Sequence, residues 1–560
     1  MKHLLIVLIF FSSGTILTGQ ESSEIINNFS VEVSDPYRWV EEYTYVGRIT
    51  EDGFLYDIKR LSEGILVRKF KVENTPAFVE ERLITNVPPY YDINAFIEIN
   101  GKWQLFYSVF EKEFTTEKLF VRELDLNAMS FFGEEKLLVS IDGKLAGSPF
   151  MTVDIYMFDI KMGEVKGGVI DKFQILQSHN EDKILVQYKR DPEFNRKSKI
   201  FYEMGMVVFD PNLIKLWEAE VEMPYSGKKM RFKDYAVDSE GNAFILSQVF
   251  NDDSEKFFLN GKINYKMELF KIDHTGTLST YPIDMRGFCA TSIVMLDSGQ
   301  DYISCLGYYN EHEDFWNANG TILINISKDG EIRDFVTNEF PVEVLNQYES
   351  AGTAKKNIKK ESKKPEQVVF ENLKLRNVAV QEDGSLLVVG EQYEYKEKYM
   401  SSHDKWYTYN YYNDILVSKL NSRGEVMWNK KLPKSQVGGD VGKGSMGLSH
   451  AFANGVHYIF YMDHLNNSHL PINEAPATYM ENGFGKGMIS AHRINDKTGA
   501  VSKLNIVDTR NVTFNLADNQ SQSIKFFRPH KIVNIGNEKF VFESYKNEGE
   551  GVLIGFAVSD

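Results

Sequence analysis

The chain has little of what usually gives a function away. Two cysteines in 560 residues, Cys289 and Cys305, are too few for a disulfide-built scaffold. No H-E-x-x-H metal motif, paired-cysteine spacing, Asp-rich calcium loop or G-x-S-x-G nucleophile elbow occurs. Past the first dozen residues, no apolar run is long enough for a membrane-spanning helix. Positive charge is in deficit, with Lys and Arg at 63 against Asp and Glu at 79 and a net charge of -16. Such a surface repels nucleic acid and anionic lipid, because phosphate backbones are bound by clustered cations. The one basic run (Lys355, Lys356, Lys359, Lys360, Lys363 and Lys364) sits in a polar insertion and reads as a solvated helix or loop.

The cysteines themselves lie on the two arms of one expected hairpin that turns near residues 297–300. That turn sets Cys289 opposite roughly residue 308, so the two are offset. A disulfide needs Cβ atoms about 3.5–4.5 Å apart, and two buried thiols are favoured over a bridge.

Apolar residues make up 42% of the chain, with 39 Phe and 29 Tyr, ample for a folded core. At the N-terminus, Lys2 and His3 precede an apolar stretch at residues 4–11 and then small and polar residues. This is the layout of a secretory signal peptide, expected to span residues 1–20. Leu17-Thr18-Gly19 looks like the start of a lipoprotein box, but Gln20 stands where a lipidated Cys is required. Export without a lipid anchor is the expectation, to periplasm, cell surface or medium.

The remaining residues, 21–560, are dominated by a recurrence. Eight times an apolar strand meets a short polar turn and returns as a second strand, with turns at Gly53, Gly101, Asn180, Gly241, Gly299, Gly384, Gly455 and Gly536. Each hairpin is followed by an outer pair, as in "ELFKIDHTGTLSTYPI" and "ILVSKLNSRGEVMWNK". Four-stranded antiparallel units repeated in series predict an all-β fold, a β-propeller of eight blades, with seven as the near alternative. The last unit has only one strand after its inner hairpin. Residues around Val31 to Tyr45 are expected to supply the missing one, closing the ring and covering two sheet edges.

Within a blade the turns alternate between the two faces of the disc. Long insertions near residues 341–374, 391–413 and 463–487 fall on the face shared by the second-to-third-strand connections and the links between blades, while a further one near 141–172 is read either as an insertion or as part of another blade. Loops on a rigid scaffold concentrate binding function, so that face is the expected working face.

The segment "YEYKEKYMSSHDKWYTYNYYND" (393–414) is the most unusual on it. Trp406, Tyr407, Tyr409, Tyr411, Asp404 and His403 are the candidate ligand contacts, since Tyr and Trp offer flat amphipathic surface to sugars or peptides. Cross-strand packing of a long hairpin is the plainer reading of the same tyrosines. Six of the eleven histidines cluster late (His450, His457, His464, His469, His492 and His530). His464, His469 and Asp463 carry metal-ligand chemistry, but ordinary surface or core histidines are favoured, and no metal or cofactor is assigned. Carboxylates at Asp252, Asp253, Glu311, Glu313, Asp314 and Asp404 leave a glycosidase-type pair unsupported by any motif.

Two resemblances follow from quoted residues. "FDPNLIKLW" ending at Trp217 and "LNSRGEVMW" ending at Trp428 resemble the tryptophan-docking repeat of eight-bladed quinoprotein dehydrogenases. That family often carries an adjacent cysteine pair, which is missing here, so its cofactor is not carried over. The leader ending at Gln20, the Tyr/Asn-rich insertions and units such as "DGSLLVVGEQYEY" resemble large secreted repeat proteins of Bacteroidetes-type bacteria. That resemblance implies export and brings no activity. The expected function is a binding or scaffold module for a glycan, peptide or protein. A carbohydrate-active hydrolase or lyase is the alternative.

Overall fold

The computed structural model leaves residues 1–24, 27–28, 41–43, 74, 114, 148–171, 191–200, 312–314, 363–367, 402–403, 439–444, 482–486, 512, 515–521, 524–525, 528–531, 547–548 and 559–560 undescribed and describes all others. The expected signal segment therefore lies outside the described residues, as do His403, His530, Glu313, Asp314, Lys363 and Lys364.

Eight antiparallel sheets follow one another along the chain. Blade 1 is Thr44–Glu51, Phe54–Leu61, Gly64–Lys71 and Ala77–Ile84, and blades 2 to 7 open with strands starting at Tyr91, Phe173, Met230, Cys289, Leu373 and Ser449. First strands touch first strands around the ring, and between blades 6 and 7 the Asn377 side-chain amide bonds His450 at 2.8 Å. The result is an eight-bladed propeller with four-stranded blades, as the recurrence predicts.

Blade 8 is completed from the other end of the chain. Val533–Gly536, Lys539–Lys546 and Glu550–Val558 are joined by Phe29–Val33, in register from Phe29 opposite Val558 to Val33 opposite Ile554. Tyr37–Arg38 continue the row against Gly551 and Glu550. The ring closes through a strand of the N-terminal segment.

Local chemistry makes the short turns. Asp238, Asp273 and Asn421 each accept main-chain N–H groups two and four residues ahead, at 2.8–3.0 Å. The glycine inside each loop (Gly241, Gly276, Gly424) takes a φ of +77 to +85°, which a side chain would strain. An Asx acceptor followed by glycine thus folds a turn from its own side chain, and the repeat is written in it.

The core lies between blades. Buried apolar residues fall into eight clusters, one per seam, such as Ala236, Leu246, Ile293 and Ile324 between blades 4 and 5. Tryptophans reinforce two seams. Trp217 Nε1 donates to the Gly241 carbonyl at 3.0 Å and Trp428 Nε1 to the Asp496 carbonyl at 2.9 Å, each reaching a turn of the next blade. The two motifs with tryptophan-docking character do dock.

The closing seam differs in kind. Among the described residues its buried apolar cluster is Tyr37, Leu55, Phe70, Val72, Val541 and Leu553, with Val533 and Ile535 packed against it. The rest is ionic: Arg48 pairs with Asp57 at 2.8 Å and Glu543 at 2.7 Å, and Lys59 lies 3.4 Å and 3.6 Å from the same two carboxylates. Tyr37 donates to Glu543 at 2.5 Å. No side chain in these four pairs is more than 3% exposed.

Candidate ligand-binding face

Because strands in a blade alternate in direction, the long connections among the described residues emerge on one face. Blade 4 contributes the small hairpin of Phe258–Leu259 and Lys262–Ile263. Blade 5 adds a loop whose Phe315 stacks on Phe257 of the blade 4 loop at 4.2 Å. Between blades 5 and 6 runs the helix Ala351–Glu361, capped by Ser350, with Lys355, Lys356 and Lys359 exposed.

Blade 6 supplies the dominant feature. Leu386–Met400 and Lys405–Leu420 are one hairpin, paired in continuous register from Tyr393 opposite Tyr412 to Met400 opposite Lys405. The insertion at 391–413 is thus mostly strand, the long hairpin that is the plainer reading of its tyrosines. Alternation of aromatic and polar residues over both arms satisfies a pleated surface better than a loop. At about 3.4 Å per residue, the arm past Tyr393 reaches roughly 20 Å beyond the blade.

The hairpin is bolted at its base. Its inner neighbour, Leu373–Val380, carries a bulge at Arg376, and a bulge redirects a side chain. Arg376 donates to Glu391 at 2.8 Å and lies over the rings of Tyr393 and Tyr412. Lys434 reaches the other Glu391 oxygen at 2.7 Å and donates to the Tyr412 carbonyl and to Gln436. Burial holds the Lys434 ammonium below its usual range, although Glu391 opposes the shift. Lys431 ties Asp414 (3.4 Å) to Glu349 and the Leu345 carbonyl in the preceding link. Burial holds the Asp414 carboxyl above its ordinary value. Finally Gln436–Gly438 pairs with residues 410–412, and Tyr479–Met480 adds beyond it.

The projecting part has two unlike faces. On one, Tyr395 (63% exposed), Tyr399 (45%) and Trp406 (63%) stand in solvent, with the Tyr399 and Trp406 rings 5.4 Å apart. The Tyr399 hydroxyl donates to Asp404, whose φ of 46° places it in the turn. On the other face lie Tyr407, Tyr409 and Tyr411, half-buried, with Lys405 over Tyr407 and Lys396 over Tyr411. The structure therefore divides the candidate contacts between two sides of one hairpin. Sequence reasoning passed over Tyr395 and Tyr399 as contacts, although the alternation from Tyr393 onward marks them.

The late histidines do different work. Asp463 is held by the buried Lys503 at 2.8 Å and by Asn467, and His464 caps the adjacent turn by accepting the Asn466 N–H. Among the described residues no three His, Cys, Asp or Glu side chains come together as a metal group. Instead a relay unseen in the sequence crosses the seam between blades 6 and 7. His450 and His457 are bonded at 3.1 Å, and His457 meets Asp496 at 2.7 Å. Lys419 meets the same carboxylate at 2.5 Å. Asp496 only accepts, so His457 donates to it and accepts from His450, which accepts from Asn377. Burial holds His450 down to about 3 and keeps it neutral.

Of the acidic candidates, Asp252 is held by Ser254 and Asn264 within its own loop and Asp404 by Tyr399. The hydrolase reading gains no support from them. Cys289 and Cys305 are buried and unbridged, opposite Asn310 and Met295 respectively. Tyr265 donates to the Cys289 sulfur at 3.0 Å.

No family model and no curated protein matches the chain. Some solved structures are similar at a distance only. The apocarotenoid oxygenase of Synechocystis is 10% identical over 69% of this chain and 71% of that one, with a TM-score of 0.34. Prolyl oligopeptidase B of Galerina marginata is 10% identical over 92% of this chain and 55% of that one, at 0.36. A protein of unknown function from Bacteroides caccae is 11% identical over 65% of this chain and 89% of that one, at 0.25. At these values the likeness carries no argument about activity.

Proposed function

We propose that the protein is an exported bacterial binding module that takes a glycan, peptide or protein ligand on its long-loop face. The blade 6 hairpin is its principal contact. One observation carries the reading: Tyr395, Tyr399 and Trp406 are held in solvent on an arm anchored by buried ion pairs. A propeller conserving only its own stability has no need of exposed aromatics on a projecting strand pair, whereas pre-ordered aromatic surface lowers the entropic cost of binding. Export rests on the N-terminal layout. The test is a glycan and peptide array probed with the intact chain and with a variant lacking residues 394–408. Loss of the bound species on shortening is expected, and unchanged binding sinks the hairpin assignment.

A further inference from the structure

The hairpin presents a backbone edge as well as rings. Strand Leu373–Val380 covers the inner edge of the blade 6 hairpin as far as Gln392, and the Tyr393 N–H then donates to the Asn372 carbonyl at 3.0 Å. Backbone direction alternates along an antiparallel strand. The amides of Tyr395, Glu397 and Tyr399 therefore point to that same inner side, away from the hairpin's second arm. There, no strand pairs with residues 394–399 among the described residues. Residues 395–399 are all exposed. An open edge of this length is a template for another strand.

Side chains beside that edge alternate in chemistry. Lys396 and Lys398 project to one face with Glu394; Tyr395 and Tyr399 project to the other with Glu397 between them, in a chain whose net charge is -16. Lys396 shares Glu394 at 2.6 Å, while Lys398 makes no ion pair among the described residues. A strand laid along the edge sets its own alternate residues next to the lysines and next to the tyrosines. Cross-strand neighbours favour opposite charge and aromatic-apolar contact. Two copies of this edge paired antiparallel about Glu397 would set Lys396 against Lys398, which disfavours self-association.

Resting on the binding reading above, we infer that the ligand is an extended polypeptide segment in which acidic and apolar residues alternate. It adds edge-on to residues 394–399 and continues the row begun by Leu373–Val380. Its main chain meets the inner-edge amides, its acidic side chains meet Lys396 and Lys398, and its apolar ones meet Tyr395 and Tyr399.

The test uses the full chain and fluorescence anisotropy with an octapeptide alternating aspartate and valine. A lysine-valine octapeptide and polygalacturonate are the comparison probes. The aspartate peptide is expected to bind best. Glu397→Pro should weaken it about tenfold or more, a change of about 1.4 kcal/mol. It removes an inner-edge donor that the hairpin itself does not use, and an edge position tolerates proline there. Glu397→Ala should bind as the parent does, because the donor is main chain. Lys396→Glu with Lys398→Glu should shift preference to the lysine peptide. Equal binding by Glu397→Pro overturns strand addition. So does polygalacturonate binding that survives Glu397→Pro but is lost with Trp406→Ala, an outcome that keeps the hairpin reading intact. Binding indifferent to removal of the hairpin overturns both.

Discussion

Glu543 is the side chain on which ring closure turns. It lies in the second strand of blade 8, accepts from Tyr37 at 2.5 Å and Arg48 at 2.7 Å, and stands 3.6 Å from Lys59. Glu543→Leu preserves approximate volume but leaves Arg48 and Lys59, both at most 2% exposed, with Asp57 as the remaining carboxylate of these pairs among the described residues. Removing one partner of a buried ion pair costs about 3–5 kcal/mol, because a charge is left without compensation away from water. The apolar cluster of this seam is too small to absorb such a loss by repacking. Urea unfolding followed by tryptophan emission measures the cost, and Trp39 lies close to Lys59 as a local reporter. Hydrogen exchange should show the amides of Tyr37–Arg38 and then Phe29–Val33 released first, since Tyr37, which follows that strand, loses its acceptor. A cost below about 1 kcal/mol, the range of exposed pairs, refutes the reasoning: the cluster would then be screened by water.

Two further outcomes test the seam between blades 6 and 7 and its neighbourhood. Burial holds both His450 and His492 at about 3, whereas an unfolded histidine titrates near 6.5. The unfolded chain therefore binds more protons below about pH 6.5. Stability is complete above that value and falls with acid by about 1.4 kcal/mol per pH unit for each histidine until pH approaches about 3. Urea midpoints at pH 7.5, 6 and 5 should show this slope, and His450→Gln should reduce it by one proton; an unaltered slope removes His450 from the account. Trp428→Phe should cost about 1 kcal/mol, the worth of the indole donation to Asp496. Trp428→Ala should cost about 3–5 kcal/mol for a buried aromatic. No measurable cost for Trp428→Phe in thermal unfolding would show that the donation contributes nothing.

What could be read from the sequence was what local residues determine. Asx acceptors and glycines form turns within five residues, so the hairpins at Gly241, Gly276 and Gly424 are visible without the fold. Counting strands in the last unit exposed a missing partner, and the alternation of short and long connections marked the loop-bearing face. The aromatic hairpin was only half legible: its residues were noticed, but which face each tyrosine occupies depends on a register set at Tyr393 by a shift beside Glu391. Partners far apart in sequence were invisible. Arg48 and Glu543 are separated by 495 residues, and no pattern in either neighbourhood announces the other. The same holds for Lys434 with Glu391 and for the His450–His457–Asp496 relay. A bulge such as that at Arg376 leaves no compositional trace, yet it turns a guanidinium toward the base of the hairpin. Local chemistry therefore explains why each blade forms. Long-range ionic contacts decide how the ring is shut and where the blade 6 arm is anchored. Those contacts, more than the repeat itself, separate a propeller that merely closes from one built to hold a strand pair out into solvent.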